Sequence, residues 1–412
     1  MAEPTSSLKN RVAFVVELAR RLHQYGTAAP RLEDAVAMVA LRLGLRCEVW
    51  SSPTAIILSF YDPAAGDDAL ALVTQVMRLA PGDVNLRQLA AADRIADEVI
   101  AGRMDVSSGW QALRELVKPL TLKWRWALAV NFGVAAACFA VLLRLSWVDL
   151  AAAGLLGLLI GALVVLGASH ARLALAIEAL GAFLVTLLAT FASAWLEPLA
   201  VKPVVLSALI VLVPGMSLTT AVREISSHHL VSGMARLAGA TSTLLKLIFG
   251  VLVATELCRM LGVHGASPAL AAVPTWMEAP AVLIGAVSFA ILFQASPRDW
   301  GVVLPAVIGG YLVSRVGGAM AGAVVGAFLG GFVLGAASNA YARWVGRPGA
   351  LVREPGIILL VPGSTSFRSL TSLLENALDA GAVTGLLLVK LLVALVAGLL
   401  FGDLLIRPRR IL

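Results

Sequence analysis

Residues 211–225 read VLVPGMSLTTAVREI, and residues 359–373 read LLVPGSTSFRSLTSL. In both, an apolar run meets Val-Pro-Gly and then turns rich in hydroxyls. Proline removes a backbone donor and clashes with the preceding turn, while glycine tolerates conformations closed to other residues, so the pair breaks a helix. In lipid a broken helix leaves N–H and C=O groups unpaired, and it survives only where protein or a watery cavity satisfies them. If the helix restarts after the break, its first N–H groups and the positive end of its dipole suit a carboxylate. A single Pro-Gly is equally well explained as a span ending at the membrane interface. Its recurrence at matched positions favours a substrate or gating site built from Pro214, Gly215, Ser217, Thr219, Thr220, Pro362, Gly363, Ser364, Thr365 and Ser366.

The surroundings of these stretches set the class of fold. The chain has 412 residues, 59% hydrophobic and 14% charged, with a mean hydropathy of +0.89. A soluble domain carries nearly twice that share of charge. Residues 125–406 are Leu/Val/Ala/Gly runs near the roughly 20 residues that cross a bilayer. Apolar segments fall at 125–145, 148–167, 172–195, 201–214 and 232–258, then at 279–295, 300–316, 319–342, 354–362 and 382–405. In each group of five the fourth is short and ends at Val-Pro-Gly. Pro214 and Pro362 lie 148 residues apart, and similar offsets align Gly181-Ala-Phe183 with Gly326-Ala-Phe328, Ser193 with Ser338, and Lys246 with Lys390.

A unit with five crossings changes sides, so two in series sit in opposite orientations, an arrangement typical of secondary transporters. The fold class expected is an α-helical polytopic membrane protein. About ten transmembrane helices form a 5+5 inverted repeat, with a small N-terminal α+β cytoplasmic domain. The domains read as 1–124, soluble; 125–262, first membrane repeat; and 279–406, second membrane repeat. An eight-span count, with re-entrant Pro-Gly segments, leaves both termini on the same side as well.

Basic residues test the orientation. Lys118, Lys123 and Arg125 precede the first span, Arg343, Arg347 and Arg353 follow the eighth, and Arg407, Arg409 and Arg410 follow the last. The intervening loops offer mainly Arg144, Lys202 and Arg259. Cytoplasmic loops carry the Lys/Arg excess, which puts both termini in the cytoplasm of a cell whose inner membrane the chain spans. The same placement accounts for the net charge of +7 without nucleic acid. No secretory signal is read at the start.

In residues 1–124, apolar positions recur at helical spacing over 8–24 and 31–43, with Gly44 as a stop. RCEVWSSPTAIILSF reads as a hairpin turning at Ser-Ser-Pro, and two amphipathic helices follow, the second with Ser107 or Ser108 as N-cap. There is no phosphate-binding glycine loop, nucleophile elbow or paired histidine, and His23 with Glu33-Asp34 is too little for catalysis. The chain is read as no enzyme, with no cofactor or metal. Cys47, Cys138 and Cys258 match no ligand spacing and read as small core residues.

Charges inside spans are costly and mark pathways. Glu178, too short to snorkel from mid-span, is the leading candidate for a proton-coupling or ammonium-binding carboxylate, with Lys246 and Lys390 as further intramembrane charges. Arg223, Glu224 and Arg236 complete the candidate coupling set, and Arg223-Glu224 with His228 and His229 reads as a solvated cytoplasmic face. The partners expected are a small-molecule solute and membrane lipid, with homo-oligomerisation left open.

The constellation resembles the threonine/serine exporter family in its fused, two-half form. The resemblance lies in LARRLHQYGTAAPRLEDAVAMVALRLGLRCEVWSSPTAIILSF, notably Tyr25-Gly26, Arg31, Glu33, Gly44 and Pro53-Thr54. It continues in VPGMSLTTAVREISSHHLVSGMARL, with Pro214, Gly215, Gly233 and Arg236, and in AVSFAILFQASPRDW and LLVPGSTSFRSL. It implies export of threonine, serine or similar small hydroxylated amino acids, driven by the proton motive force. Relatives built as two separate chains are associated with dicarboxylate (succinate) export. Thr220 stands where an Asn is common, Glu224 where an Asp is common, and SSHH replaces a Gly-Asp-like turn, so substrate does not follow from family. A channel, or a membrane-anchored enzyme with a catalytic N-terminal domain, is the alternative of another class.

Overall fold

A computed structural model describes residues 7–61, 71–117, 121–265, 271–374 and 378–407. Lys118, Arg409 and Arg410, which the charge argument used, lie outside them. The N-terminal head opens with α1 (Leu8–Gln24), which Ser7 caps by accepting from the Asn10 N–H, and α2 (Ala29–Arg42). Gly44 ends α2 at φ +70°. Strands β1 (Arg46–Ser52) and β2 (Ala55–Tyr61) pair antiparallel with Ser52 opposite Ala55, so Pro53-Thr54 makes the turn. Ile56, Leu58 and Phe60 alternate inward as the period of a strand requires.

A third strand, β3 (Val73–Arg78), lies outside β2 and has only Met77 buried. Two helices close the head, α3 (Leu86–Ile100) and α4 (Val106–Glu115). The cap of α4 is Asp105, whose carboxylate accepts from the Ser107 N–H, instead of Ser107 or Ser108. Phe14, Leu18, Leu22, Ile56 and Leu86 form the head's core, and that core runs on without interruption into Ala290, Val303 and Leu351 of the membrane region.

The membrane region begins with α5 (Leu122–Leu142), α6 (Trp147–Gly167), α7 (Ala171–Trp195), α8 (Val201–Leu209), α9 (Gly215–Ser226) and α10 (Leu230–Met260). It continues with α11 (Glu278–Leu292), α12 (Trp300–Ala321), α13 (Ala323–Trp344), α14 (Ala350–Ile357), α15 (Gly363–Leu374) and α16 (Leu378–Leu405). Among the described residues, eight helices are long and apolar enough to cross a membrane. They are α5, α6, α7, α10, α11, α12, α13 and α16. The segments read at 201–214 and 354–362 are instead short helices that stop before Val-Pro-Gly and restart after it, as α8–α9 and α14–α15.

The two sets of six helices pack alike. α7 lies on α10 as α13 lies on α16; α8 touches α6 and α7 as α14 touches α12 and α13; α9 rests on α10 as α15 rests on α16. Close packing pins the register. Gly250 of α10 sits where any Cβ would overlap the Ala179 carbonyl, and Gly398 of α16, 148 residues on, sits likewise against the Phe328 carbonyl, 149 residues beyond Ala179. Outward-facing Leu175, Leu245, Phe249, Leu386 and Phe401 are exposed, a surface suited to lipid tails.

Candidate functional site

The two breaks have the same hydrogen bonds, one for one. Before the first, the N–H groups of Ile210, Leu212 and Val213 donate to the carbonyls of Ser207, Leu209 and Leu209; before the second, Ile358, Leu360 and Val361 donate to Pro355, Ile357 and Ile357. Across each proline the glycine N–H turns back on the valine carbonyl, Gly215 to Val213 at 2.8 Å and Gly363 to Val361 at 2.9 Å. The new helices then start with Leu218 N–H donating to Pro214 O and Ser366 N–H to Pro362 O, both at 3.0 Å.

The corners meet. A Cβ added to Gly215 would overlap Val361 Cγ1 and lie 3.1 Å from Gly363 Cα; one added to Gly363 would lie 3.2 Å from Val213 Cγ1 and 3.4 Å from Gly215 Cα. Each valine covers the other half's glycine, a self-complementary contact like that of a two-fold interface. Two helix N-termini therefore converge on one spot. Among the described residues, the N–H groups of Met216, Ser217, Ser364 and Thr365 have no hydrogen-bond acceptor. Such groups favour an anion.

The hydroxyls at the corners divide. Thr219 donates to the Gly215 carbonyl at 3.2 Å and Ser366 to Pro362 at 2.8 Å, and both are buried. Ser217, Thr220, Ser364 and Thr365 are half-buried and make no side-chain hydrogen bond within the described residues. They are the four predicted hydroxyls that remain available.

The broken pairs lead opposite ways. α8 starts beside a cavity of about 1010 Å³, which Lys202, Pro203, Val205 and Leu206 help to line, and α9 ends against the head. α14 starts with Leu351 in the head's core, and α15 runs to Phe367, Arg368 and Thr371 in the wall of that same cavity. Thr186, Thr190 and Thr255 add hydroxyls to the wall, and the Thr186 Oγ1 is buried with no partner. Lys202, Arg259, His264 and Arg368 give it a basic lining, and among the described residues no Asp or Glu lines it. Sequence reasoning missed this cavity, because its lining comes from helix ends far apart in the chain.

Glu224, expected on a solvated face, is fully buried. Arg236 donates to it through Nε and Nη2, each at 3.1 Å, and Ser232 Oγ donates at 3.0 Å. The fourth donor comes from the head, the Ala29 N–H at 3.0 Å. Ala28, at the N-cap of α2, has no side chain to accept with, so a membrane-region carboxylate caps that helix. Nearby, His229 Nε2 lies 3.2 Å from Glu33 Oε2, while Glu33 Oε1 accepts the Ser51 N–H and hydroxyl. Asn85 Nδ2 reaches Gln294 at 2.9 Å and the Leu86 N–H donates to Phe293 O at 3.0 Å. These bonds dock the head on α9, on α10 and beyond the end of α11.

Glu178 lies on α7. It faces Lys246 across α7 and α10 at 3.7 Å, with Leu175, Leu245 and Phe249 exposed around the pair. Lys390 is exposed on α16. A second charged group, absent from the predicted set, is Arg353 of α14: fully buried, it donates through Nη2 to Ser338 Oγ, Asn339 Oδ1 and Asp403 Oδ1. Arg223 and the head's Arg31 bear on its charge. Burial first, then Arg223, brings the Arg31 guanidinium down to about 10. His23 is buried in the head with its Nε2 on the Ala80 carbonyl, and burial lowers its pKa.

Comparison with known proteins gives two adjoining matches. A threonine/serine exporter family model, ThrE, matches residues 13–258, and a second model described as "Threonine/Serine exporter, ThrE" matches residues 278–405. The uncharacterized protein C7D4.12c of Schizosaccharomyces pombe is 24% identical over 98% of this chain and 56% of its own length. Pheromone-regulated membrane protein 10 of Zygosaccharomyces rouxii is 24% identical over 90% of this chain and 38% of its own, and that of Yarrowia lipolytica 23% identical over 60% and 20%. The chain thus spans about half or less of the curated relatives it matches. No solved structure matches.

Proposed function

Since this chain belongs to the threonine/serine exporter family, we propose that it is a proton-coupled secondary transporter exporting threonine, serine or a similar small hydroxylated amino acid across the inner membrane. Its two halves insert in opposite senses, with both termini cytoplasmic. The observation that carries this reading is the meeting of Gly215 with Gly363. Two helix starts converge there from broken pairs that lead opposite ways, as expected of inverted repeats whose discontinuous helices hold substrate. The α-carboxylate takes the free N–H groups of Met216, Ser217, Ser364 and Thr365, and the hydroxyls of Ser217, Thr220, Ser364 and Thr365 take the solute's polar groups. The corners are closed on each other at rest, so the solute enters by parting them. Glu178, paired with Lys246 in the span, is the coupling carboxylate in this reading.

One observation favours a second solute class. The cavity beside α8 and α15 has basic residues in its lining and, among the described residues, no carboxylate to receive an ammonium group. That lining suits a dicarboxylate. Proteoliposomes decide between them. The exporter reading expects counterflow of labelled threonine, the second reading of labelled succinate, and no uptake of either above empty liposomes rejects transport of both. Conductance far above carrier rates, without dependence on a proton gradient, would make the protein a channel.

A further inference from the structure

The open cavity has a closed counterpart beneath the head. Cavity residues Val205 and Thr255 correspond, 148 residues on, to Arg353 and Asp403; Thr190 corresponds, 149 on, to Asn339; and cavity residue Thr371 corresponds, 148 back, to Arg223. These offsets are the ones that the corner hydrogen bonds and the Gly250 and Gly398 contacts set. The counterparts gather. Arg353 donates to Asn339 (3.3 Å) and to Asp403, Asn339 Nδ2 donates to Asp403 at 2.7 Å, and Arg223 and Arg31 act on Arg353 through space. Val205 and Thr371 of the cavity thus give way to Arg353 and Arg223 on the head side, and Thr255 to Asp403.

Arg353 is incompletely satisfied there. It is fully buried, Asp403 engages only Nη2, and Nε and Nη1 have no acceptor among the described residues. A buried guanidinium with two idle donors is costly. Two more guanidinium groups, Arg223 from α9 and Arg31 from the head, raise that cost, and Asp403 and Glu354 offset it in part. The complement of such a cluster is an oxyanion, which planar guanidinium groups bind through paired charge-assisted bonds.

We propose that Arg353, Arg223 and Arg31 form an oxyanion site at the head-side end of the transport path, where Asp403 holds the place that a solute carboxylate takes. The site rests on the transporter reading only for the source of its anion. Because Arg31 belongs to the head, occupancy ties the head to both halves of the membrane region.

The test is equilibrium binding to the purified full chain in nanodiscs, with labelled succinate, labelled threonine and inorganic phosphate as separate probes. The proteins are the parent chain, Arg31→Gln, Arg223→Gln and Arg223→Lys, each checked for an unchanged melting midpoint. Arg31→Gln and Arg223→Gln should each weaken carboxylate binding about tenfold or more, and Arg223→Lys less. The same arginine dependence with phosphate alone would support the site and assign its anion to the cytoplasm. Carboxylate binding within twofold of the parent in both glutamine variants would overturn the site and leave the transporter reading intact. Binding of none of the three probes would overturn it too. Arginine-dependent binding by a chain that carries nothing in proteoliposomes would sink the transporter reading and spare the site.

Discussion

Replacing Gly215 with alanine adds one methyl group at the point where the halves touch. That methyl would overlap Val361 Cγ1 and stand 3.1 Å from Gly363 Cα. Valine is stiff about χ1, so Val361 yields only by moving its backbone or leaving its rotamer. Overpacking of this kind costs about 1–3 kcal/mol. Against it stands a gain of about 0.4–1 kcal/mol, because Gly215 has a negative φ at the start of α9 and alanine loses less backbone freedom there. Strain wins, by about 1–2 kcal/mol, and it falls on the contact that must part during transport. Gly363→Ala is milder, since its nearest neighbour lies at 3.2 Å, tight enough only to nudge Val213. Two readouts separate cause from consequence: melting of the purified protein, and counterflow in proteoliposomes. Gly215→Ala should lower both more than Gly363→Ala, and adding Val361→Ala should restore much of the loss, whereas adding Val213→Ala should not. Parental melting and flux in Gly215→Ala, or rescue by Val213→Ala as good as by Val361→Ala, would refute the corner contact.

Glu224→Gln leaves Arg236 without its counter-charge at a buried carboxylate position and should cost about 3 kcal/mol; faster proteolytic release of the head is the readout, and parental protection would show that the charge of Glu224 does not hold the head. Glu178→Gln should impair gradient-driven flux more than solute exchange, while equal loss of both would make the Glu178–Lys246 pair structural. His23 titrates below its usual 6.5 because it is buried, so the unfolded chain binds the proton first and stability falls as pH drops from about 6.5 towards the lower folded value. The melting midpoint of the full chain should therefore decline through that window, and less so in His23→Gln; an identical decline in the variant would remove His23 as the cause.

Legibility tracked locality. Helix α1 begins and ends where its apolar spacing says, because both signals are local: Leu8 follows a serine cap, and the last inward apolar residue is Leu22. Gly44 and the two breaks were equally readable, since each follows from the backbone limits of one or two residues, and the hairpin turn, read at Ser-Ser-Pro, falls a residue later at Pro53-Thr54. Strand β3 was not, because a strand that buries only Met77 shows no alternation.

The charged groups failed differently. Glu224 stands among Arg223, His228 and His229 and looked solvated, yet the head covers it. A signal was there: Ala28-Ala29-Pro30 starts a helix with no side chain able to cap it, so an acceptor had to come from elsewhere. The repeat was legible to within one helical turn. Aligning Lys246 with Lys390 and Gly181 with Gly326 used offsets of 144 and 145, whereas the packed helices correspond at 148 and 149. A four-residue slip keeps the same face of a helix, so hydropathy alone cannot detect it. The corrected register exposed Arg353 and Asp403 as counterparts of cavity residues.

The account depends on α9 and α15 leaving their shared corner towards opposite sides of the membrane. Ser226 is exposed at the far end of α9, Arg368 is exposed midway along α15, and the native Cys47, Cys138 and Cys258 are buried. Single cysteines placed at 226 and at 368 can therefore be labelled with a membrane-impermeant maleimide in sealed, right-side-out vesicles. The account predicts labelling of the Arg368→Cys chain from outside and of the Ser226→Cys chain only after the membrane is opened. Labelling of both from the same side would contradict it.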